Sequence, residues 1–133
     1  MSRVATRYQA MDVQSMSGPR LVVFLYSHLL SSLKQGHRAI EVTDHEGRCR
    51  ALCRARDIVY ELAFSLDRAA GGALAENLAS LYEYFIHEIT QVDLHPDAAR
   101  LARVTDLIAS LHQAWEAAAT QLDEAPVPAA VNQ

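Results

Sequence analysis

The sequence has few of the residues that interrupt helices and no excess of those that bind nucleic acid. Five glycines and four prolines occur among 133 residues, while alanine and leucine are abundant, a composition that favours helices. No apolar run approaches the roughly 20 residues that a membrane-spanning helix needs, and the N-terminus lacks the apolar stretch of a signal peptide. The net charge of −4 gives no basic footprint for nucleic acid. We therefore expect one globular domain in the cytoplasm that binds neither nucleic acid nor membrane.

Residues that would build a catalytic or metal site are also sparse. The two cysteines, Cys49 and Cys53, lie four residues apart on a predicted helix, which disfavours a strain-free disulfide, so both are expected to be reduced and half-buried. His45 precedes them on the same face, but a fourth ligand and a Cys-x-x-Cys pair are missing, which argues against zinc. The chain has no Glu-x-x-His, no Gly-rich phosphate loop and no Gly-x-Ser-x-Gly motif. We therefore predict that the protein is not an enzyme and has no cofactor or metal.

The basic segment RCRALCRARD, residues 48–57, is interpreted as a solvated helix face rather than a phosphate site. Arg50 and Arg54 share one side of the predicted helix, but Arg48 and Arg56 point elsewhere, so the four cations do not converge. The histidine–glutamate pairs at a spacing of four residues are likewise interpreted as surface helix pairs.

Apolar residues at helical spacing predict the first two of four helices. The first is predicted from about Gly18 to Val42, after an N-cap at Ser17. The second is predicted to begin with a capping box formed by Thr43 and Glu46. It is expected to end at the glycine pair 71–72, where one glycine takes the left-handed conformation that closes many helices.

The last two helices complete an all-α fold. The third is predicted from about Ala73 to Val92, and the fourth begins after an N-cap at Asp97. Short connections make neighbouring helices antiparallel, so the prediction is an up-down four-helix bundle over residues 17–122. Residues 123–133 have no periodicity and contain two prolines, and we predict a disordered tail there.

The stretch GGALAENLASLYEYF, residues 71–85, has more apolar side chains than a helix in a single-seam bundle needs. Leu74, Leu78 and Tyr82 form one stripe that is predicted to point inward, and Leu81 lies beside it. Two interpretations of this surplus stay open. One is a thicker core packed against the broad first helix, and the other is a surface groove for an amphipathic partner helix.

Two further residues bear on the same question. Ile58 lies off the main seam of the second helix, so it also belongs to the apolar surplus. Asn77, on the third helix, has a side-chain amide that can bond the backbone of a peptide in such a groove. An ordinary polar surface residue is the alternative interpretation of Asn77.

Several motifs occur in a fixed order along about residues 4–118. The first two are Tyr8 followed by Val13 and Ser17, and Leu21 followed by the Leu25-Tyr26 pair. The others are RARDIVYELAFSLD, GGALAENLASLYEYF, and the apolar positions from Val104 to Trp115. With them the chain resembles the FliS family, the export chaperones of bacterial flagellin. The most specific segment is similar to the family pattern Gly-Gly-x-[IL]-Ala-x-Asn-Leu-x-x-Leu-Tyr-x-[FY]-[MF]. The chain departs from the family at two positions. Gly18 stands where the family usually has proline, which affects a helix cap. Ser27 stands where the family often has an acidic or amide residue, which affects a local surface contact.

The resemblance implies a function as well as a fold. Members of the family are helical bundles whose N-terminal segment, here residues 1–16, can cap one end. They bind the C-terminal region of flagellin, which is disordered before polymerisation, keep it from assembling in the cytosol, and present it to the export gate protein FlhA. For this chain the expected client-binding residues are Tyr8, Val13, Ile58, Leu74, Asn77, Leu78, Leu81 and Tyr82. The competing interpretation is a self-associating bundle, structural or regulatory, whose apolar surplus forms a homodimer interface.

Overall fold

The structure, a computed structural model, describes residues 18–124, which form four helices joined by connections of three residues. They are α1 (Gly18–Glu41), α2 (His45–Phe64), α3 (Arg68–Leu94) and α4 (Ala98–Glu124). Connections this short make consecutive helices antiparallel. We call the end with the α2–α3 connection the upper end, and the end with the other two connections the lower end. The predicted all-α, up-down four-helix bundle is confirmed.

The helices pack in a ring, in which α1 and α3 each contact both α2 and α4. The contact between α1 and α2 is the most extensive of the four, and that between α3 and α4 is the least. Apolar residues at three- and four-residue intervals point into this ring because that spacing keeps them on one side of a helix. The largest fully buried side chains come from all four helices: Tyr26, Leu29, Leu33, Leu52, Ile58, Val59, Leu62, Phe85, Ile89, Val92, Leu101 and Ile108.

A glycine explains why α1 and α2 approach so closely. A Cβ atom added to Gly36 would lie 2.7 Å from the Cδ2 atom of Leu52, so the Leu52 side chain occupies the space that any other residue at 36 would need. Both residues are buried. This close contact lies in the lower half of the α1–α2 interface.

Aspartates cap the helices, and one predicted cap is corrected. The carboxylate of Asp44 accepts a hydrogen bond from the Gly47 backbone N–H at 2.9 Å, so Asp44 and not Thr43 is the N-cap of α2. Thr43 has a φ of 59° and terminates α1 instead, which removes it from the capping position. The predicted cap of α4 is confirmed, because the Arg100 backbone N–H donates to the Asp97 carboxylate at 3.0 Å.

The predicted role of the glycine pair is also corrected. Helix α2 ends at Phe64, seven residues before the first glycine, and Asp67 starts α3 by accepting a hydrogen bond from the Ala70 backbone N–H at 3.0 Å. Gly72 then interrupts α3 with a φ of 54° and a ψ of −131°, a conformation available mainly to glycine. The pair therefore kinks α3 instead of ending α2, because an aspartate cap nearer the end of α2 has already begun the next helix.

Residues 1–17 and 125–133 lie outside the described residues, and with them the expected N-terminal cap segment, Ser17, Tyr8 and Val13. Helix α4 continues to Glu124, so the first two residues of the segment predicted as a tail, 123 and 124, are helical. Among the described residues, no helix is both long and apolar enough to cross a membrane.

Candidate functional site

Two sets of ion pairs fix the rotation of α3 relative to its neighbours. On one side, the Asp93 carboxylate accepts hydrogen bonds from the Arg48 and Arg56 guanidinium groups of α2, at 3.3 and 3.1 Å. On the other side, the Glu88 carboxylate accepts two bonds of 2.8 Å from the Arg100 guanidinium of α4. Residues on the same faces as Asp93 and Glu88 therefore border α2 and α4 respectively.

The border between α2 and α3 forms an apolar groove in the upper half of the bundle. Its volume is about 270 Å³, and its lining residues are Val59, Tyr60, Ala63, Ala79, Tyr82, Glu83 and Ile86. We call it the α2–α3 groove. Tyr60 is 47% exposed at its rim. Phe64, one turn further along α2, is 80% exposed. An open groove with two exposed aromatic residues beside it is typical of a surface that receives an apolar partner.

The border between α3 and α4 presents three of the predicted site residues. Leu74, Asn77 and Leu81 are three and four residues apart, and Glu88 follows Leu81 by seven, so all four share one face of α3. Leu81 is half-buried and Asn77 is exposed. Leu74 is 63% exposed, so the expectation that it points into the core is wrong. It lies in the first turn after the Gly72 kink, at the upper end of α3, where the neighbouring helices do not cover it.

The other predicted site residues within residues 18–124 are buried. Ile58 is 1% exposed and belongs to the core, and so do Leu78 and Tyr82. For Ile58 and Leu78 the thicker-core interpretation is therefore correct in this conformation. Tyr82 is buried as well, but it also belongs to the lining of the α2–α3 groove.

Sequence reasoning missed the α2 side of the groove. Tyr60 and Phe64 are both large and apolar, but the prediction assigned them neither to the core-facing seam of α2 nor to the surplus apolar residues. They lie four residues apart, so they share one face of α2, and that face contains no seam residue. A pair of aromatic residues at this spacing outside the seam is the signal that would have identified them.

A hydrogen bond inside the bundle anchors the groove residue Tyr82. Its hydroxyl lies 3.0 Å from the hydroxyl of Tyr26 on α1, and both side chains are buried. Burial raises the pKa of both tyrosines above the usual value, so the two hydroxyls stay protonated at neutral pH. The Tyr26 ring packs against Trp115 of α4, with ring centroids 6.5 Å apart.

The charged and sulfur-containing residues form no second site among the described residues. All four arginines of residues 48–57 have partners within the chain: Asp93 for Arg48 and Arg56, Glu46 for Arg50, and Gln35 for Arg54. The two cysteines are free, and both are exposed instead of half-buried. Within residues 18–124, no three metal-ligating side chains lie close enough to hold an ion.

A second groove, between α1 and α4, has a different chemical character. It measures about 200 Å³, and its lining includes the charged side chains of Lys34, Arg38, Glu41 and Asp106. His37 lies 3.7 Å from Glu41, which confirms one of the predicted surface pairs. Charged side chains of both signs line it, and this groove has less apolar surface to offer a partner than the α2–α3 groove.

Comparison with known proteins identifies the family. The family model described as "Flagellar protein FliS" matches residues 1–122. The chain is 31% identical over 105 residues to the flagellar secretion chaperone FliS of Salmonella typhimurium, covering 78% of each protein. It is 28% identical over 113 residues to the Bacillus subtilis protein of the same name, covering 85% of this chain and 84% of the relative. The family model includes all four helices up to residue 122, and the chain belongs to the FliS family.

Proposed function

We propose that this protein is a cytoplasmic export chaperone that binds the disordered C-terminal region of flagellin. By holding that region it prevents premature polymerisation, and it delivers flagellin to the export gate protein FlhA. The observation that carries the proposal is the open, aromatic-rimmed α2–α3 groove, which lies beside Phe64, the most exposed large apolar side chain of the described residues. The relatives' name, flagellar secretion chaperone, supports the same function. This function requires binding and no catalysis.

The chemistry of the groove suits an amphipathic segment that folds as it binds. Tyr60 and Ile86 offer apolar surface, while Glu83 at the same groove supplies a carboxylate for polar or basic neighbours of the docked side chains. Ordering a disordered segment costs about 2–5 kcal/mol or more, so a single groove of this size is too small to hold it alone. A second contact surface is therefore needed.

The α4 side of α3 provides that second surface in our proposal. In this proposal Leu74 and Leu81 contribute apolar contact, and the amide of the exposed Asn77 bonds the backbone of the bound segment. Because these residues and the α2–α3 groove lie on opposite flanks of α3, a client that uses both must wrap around this helix. Ile58 and Leu78 support the binding surfaces from the core, and reach the client only if the bundle opens.

The N-terminal segment has a proposed role in the free protein. We propose that Tyr8 and Val13 cover apolar surface of the bundle and move when the client arrives, so that the free and bound states compete for one surface. Deletion of residues 1–16 should then change both client affinity and protease sensitivity. If neither quantity changed, the N-terminal segment would have no such role.

Calorimetric titration with flagellin from the same organism tests the proposed function. Intact flagellin should bind one-to-one with a large negative heat-capacity change, as expected when a disordered segment buries apolar surface. Flagellin that lacks its C-terminal segment is the matched control and should not bind. If both forms bound equally, or if neither bound, the proposal would be contradicted.

Self-association is a second candidate function, and a different region favours it. Val42 and Leu94 are exposed apolar residues at the lower end of the bundle, away from the α2–α3 groove. A weak homodimer through this end would leave the groove free, whereas an obligate dimer would bury more than these two side chains. Sedimentation of the wild type and of Val42→Ser over a wide concentration range distinguishes the cases. An unchanged single large species at every dilution would favour self-association as the main function.

A further inference from the structure

Tyr26 and Tyr82 place two hydroxyl groups among the buried apolar side chains of the core. Tyr26 lies on α1 and Tyr82 on α3, which are diagonal to each other in the ring and do not pack along their lengths. Leu29, Phe85 and Leu78 belong to the same buried cluster. The hydroxyl–hydroxyl hydrogen bond of 3.0 Å is therefore a direct polar link across the bundle between non-neighbouring helices.

The pair contributes more to geometry than to net stability. Two phenylalanine rings would occupy nearly the same volume without a hydroxyl to remove from water, and a buried hydrogen bond returns only about 0.5–1.5 kcal/mol net. A hydrogen bond does, however, restrict the distance and direction between its atoms. The link therefore limits where the Tyr82 ring can lie.

The position of that ring matters because Tyr82 lines the α2–α3 groove. The Tyr82 ring packs at an angle against Phe85, with centroids 6.2 Å apart, and its neighbours across the groove are Tyr60 and Ala63 of α2. Rotation of the ring towards α2 would fill part of the groove, whereas rotation away from it would open the core. A fixed ring keeps the groove in a shape that needs no rearrangement when a partner docks.

We propose that Tyr26, which does not itself line the α2–α3 groove, is a positioning residue for it and acts by holding the Tyr82 hydroxyl across the bundle. The inference rests on the proposed function insofar as the groove's partner is taken to be flagellin. The position of the Tyr82 ring can be measured without any partner, so the two proposals can fail separately.

The experiment compares Tyr26→Phe, Tyr82→Phe and the double variant with the wild type. Each single variant removes the hydrogen bond and keeps the rings, so each should weaken flagellin binding about three- to tenfold. The double variant should be no weaker than the weaker single variant, since the bond can be lost only once. Thr105→Val is the control, because it removes a hydroxyl bond of 2.7 Å to the Leu101 carbonyl on α4, away from the groove. It should leave the affinity for flagellin at the wild-type value.

A second readout does not depend on the client. NMR spectra of the free protein with labelled tyrosine rings should show contacts between the Tyr82 ring and Ile86 that weaken in Tyr26→Phe. If affinity and ring contacts both stayed at wild-type values while only the thermal midpoint fell, Tyr26 would be a structural residue and the inference would be wrong. If flagellin failed to bind the wild type but the ring contacts still depended on Tyr26, the proposed partner would be wrong and the positioning role would hold.

Discussion

The α1–α2 interface and the upper end of α3 differ in how fully they cover their apolar side chains. At the first, Leu52 is buried against Gly36 with no space left for a Cβ atom. At the second, Leu74 is mostly exposed, and so is Phe64 at the adjoining end of α2. Leucine is at an apolar position of a helical pattern in both places. The difference shows that the pattern identifies an apolar face, whereas the neighbouring helix decides whether that face becomes core or surface.

The largest expected effect comes from truncating one leucine in each region. Leu52→Ala should lower the free energy of unfolding by about 2–5 kcal/mol, because it leaves a cavity in a closely packed interface. Leu74→Ala should change it by less than about 0.5 kcal/mol, because the side chain is already in solvent. Urea unfolding of both variants measures the contrast. Equal losses would mean that Leu74 is covered in solution.

The ion pairs between α2 and α3 can be tested in the same way, by comparing a partly buried carboxylate with an exposed one. Asp93→Asn should cost about 1–3 kcal/mol, since it leaves the partly buried Arg48 and Arg56 guanidinium groups without their carboxylate. Glu46→Gln is the matched control, because it removes an exposed carboxylate from Arg50 and should cost less than about 0.5 kcal/mol. Urea unfolding at low ionic strength measures both. If Asp93→Asn lowered the free energy of unfolding no more than the control does, the ion pairs of Asp93 with Arg48 and Arg56 would not hold α2 against α3.

The α1–α2 interface can also be tested by adding an atom. Gly36→Ala gains helix propensity, but its methyl group would meet Leu52 at 2.7 Å. We expect a net loss of about 1 kcal/mol, because overpacking of the interface outweighs the helix preference. Gly18→Ala, whose added Cβ meets no atom within 4 Å, should be neutral or slightly stabilising. The thermal midpoints of both variants test this prediction. A higher midpoint for Gly36→Ala than for the wild type would show that the α1–α2 interface can adjust to the added methyl group.

The smallest expected effect concerns the α3–α4 border and depends on pH. Hydrogen bonds from Arg100 lower the pKa of Glu88 below its usual value of 4.5. A carboxylate with a lowered folded-state pKa stabilises the fold above its unfolded-state pKa and loses that contribution as the pH falls through the folded-state value. Glu88→Gln should therefore be less stable than the wild type near pH 7, by less than Asp93→Asn is. The difference should shrink below about pH 4.5, and a constant difference from pH 7 to pH 3 would contradict it.

The sequence was sufficient to predict the helices and most of the core, but not their exact ends. Periodicity identified buried positions such as Leu29, Leu52 and Phe85, because the residues that face the core recur at a regular interval along each helix. The predicted end of α2 was wrong because both the glycine pair 71–72 and Asp67 can mark a helix boundary. Asp67 comes earlier in the chain, and it caps the start of α3. The sequence pattern does not show that competition.

The candidate site was less predictable, because a groove is defined by two helices at once. The pattern of α3 revealed its apolar surplus, but it could not show that Leu78 is covered while Leu74 is not. Tyr60 was missed because its contribution depends on facing Ala79 and Tyr82 across the groove. Helix rotation, helix length and the Gly72 kink together decide those contacts, and none of them can be read from the spacing of one helix.

Flagellin titration of two surface variants tests the central claim most directly. Tyr60→Ala removes an exposed aromatic side chain from the α2–α3 groove, and Leu94→Ala removes an exposed apolar side chain from the lower end of α3. Both variants should keep the wild-type unfolding free energy within about 0.5 kcal/mol. The account predicts that calorimetric affinity for flagellin falls at least about tenfold in Tyr60→Ala, as for an aromatic anchor of an interface, and stays at the wild-type value in Leu94→Ala. Wild-type affinity in Tyr60→Ala would contradict the assignment of the groove as the client-binding surface.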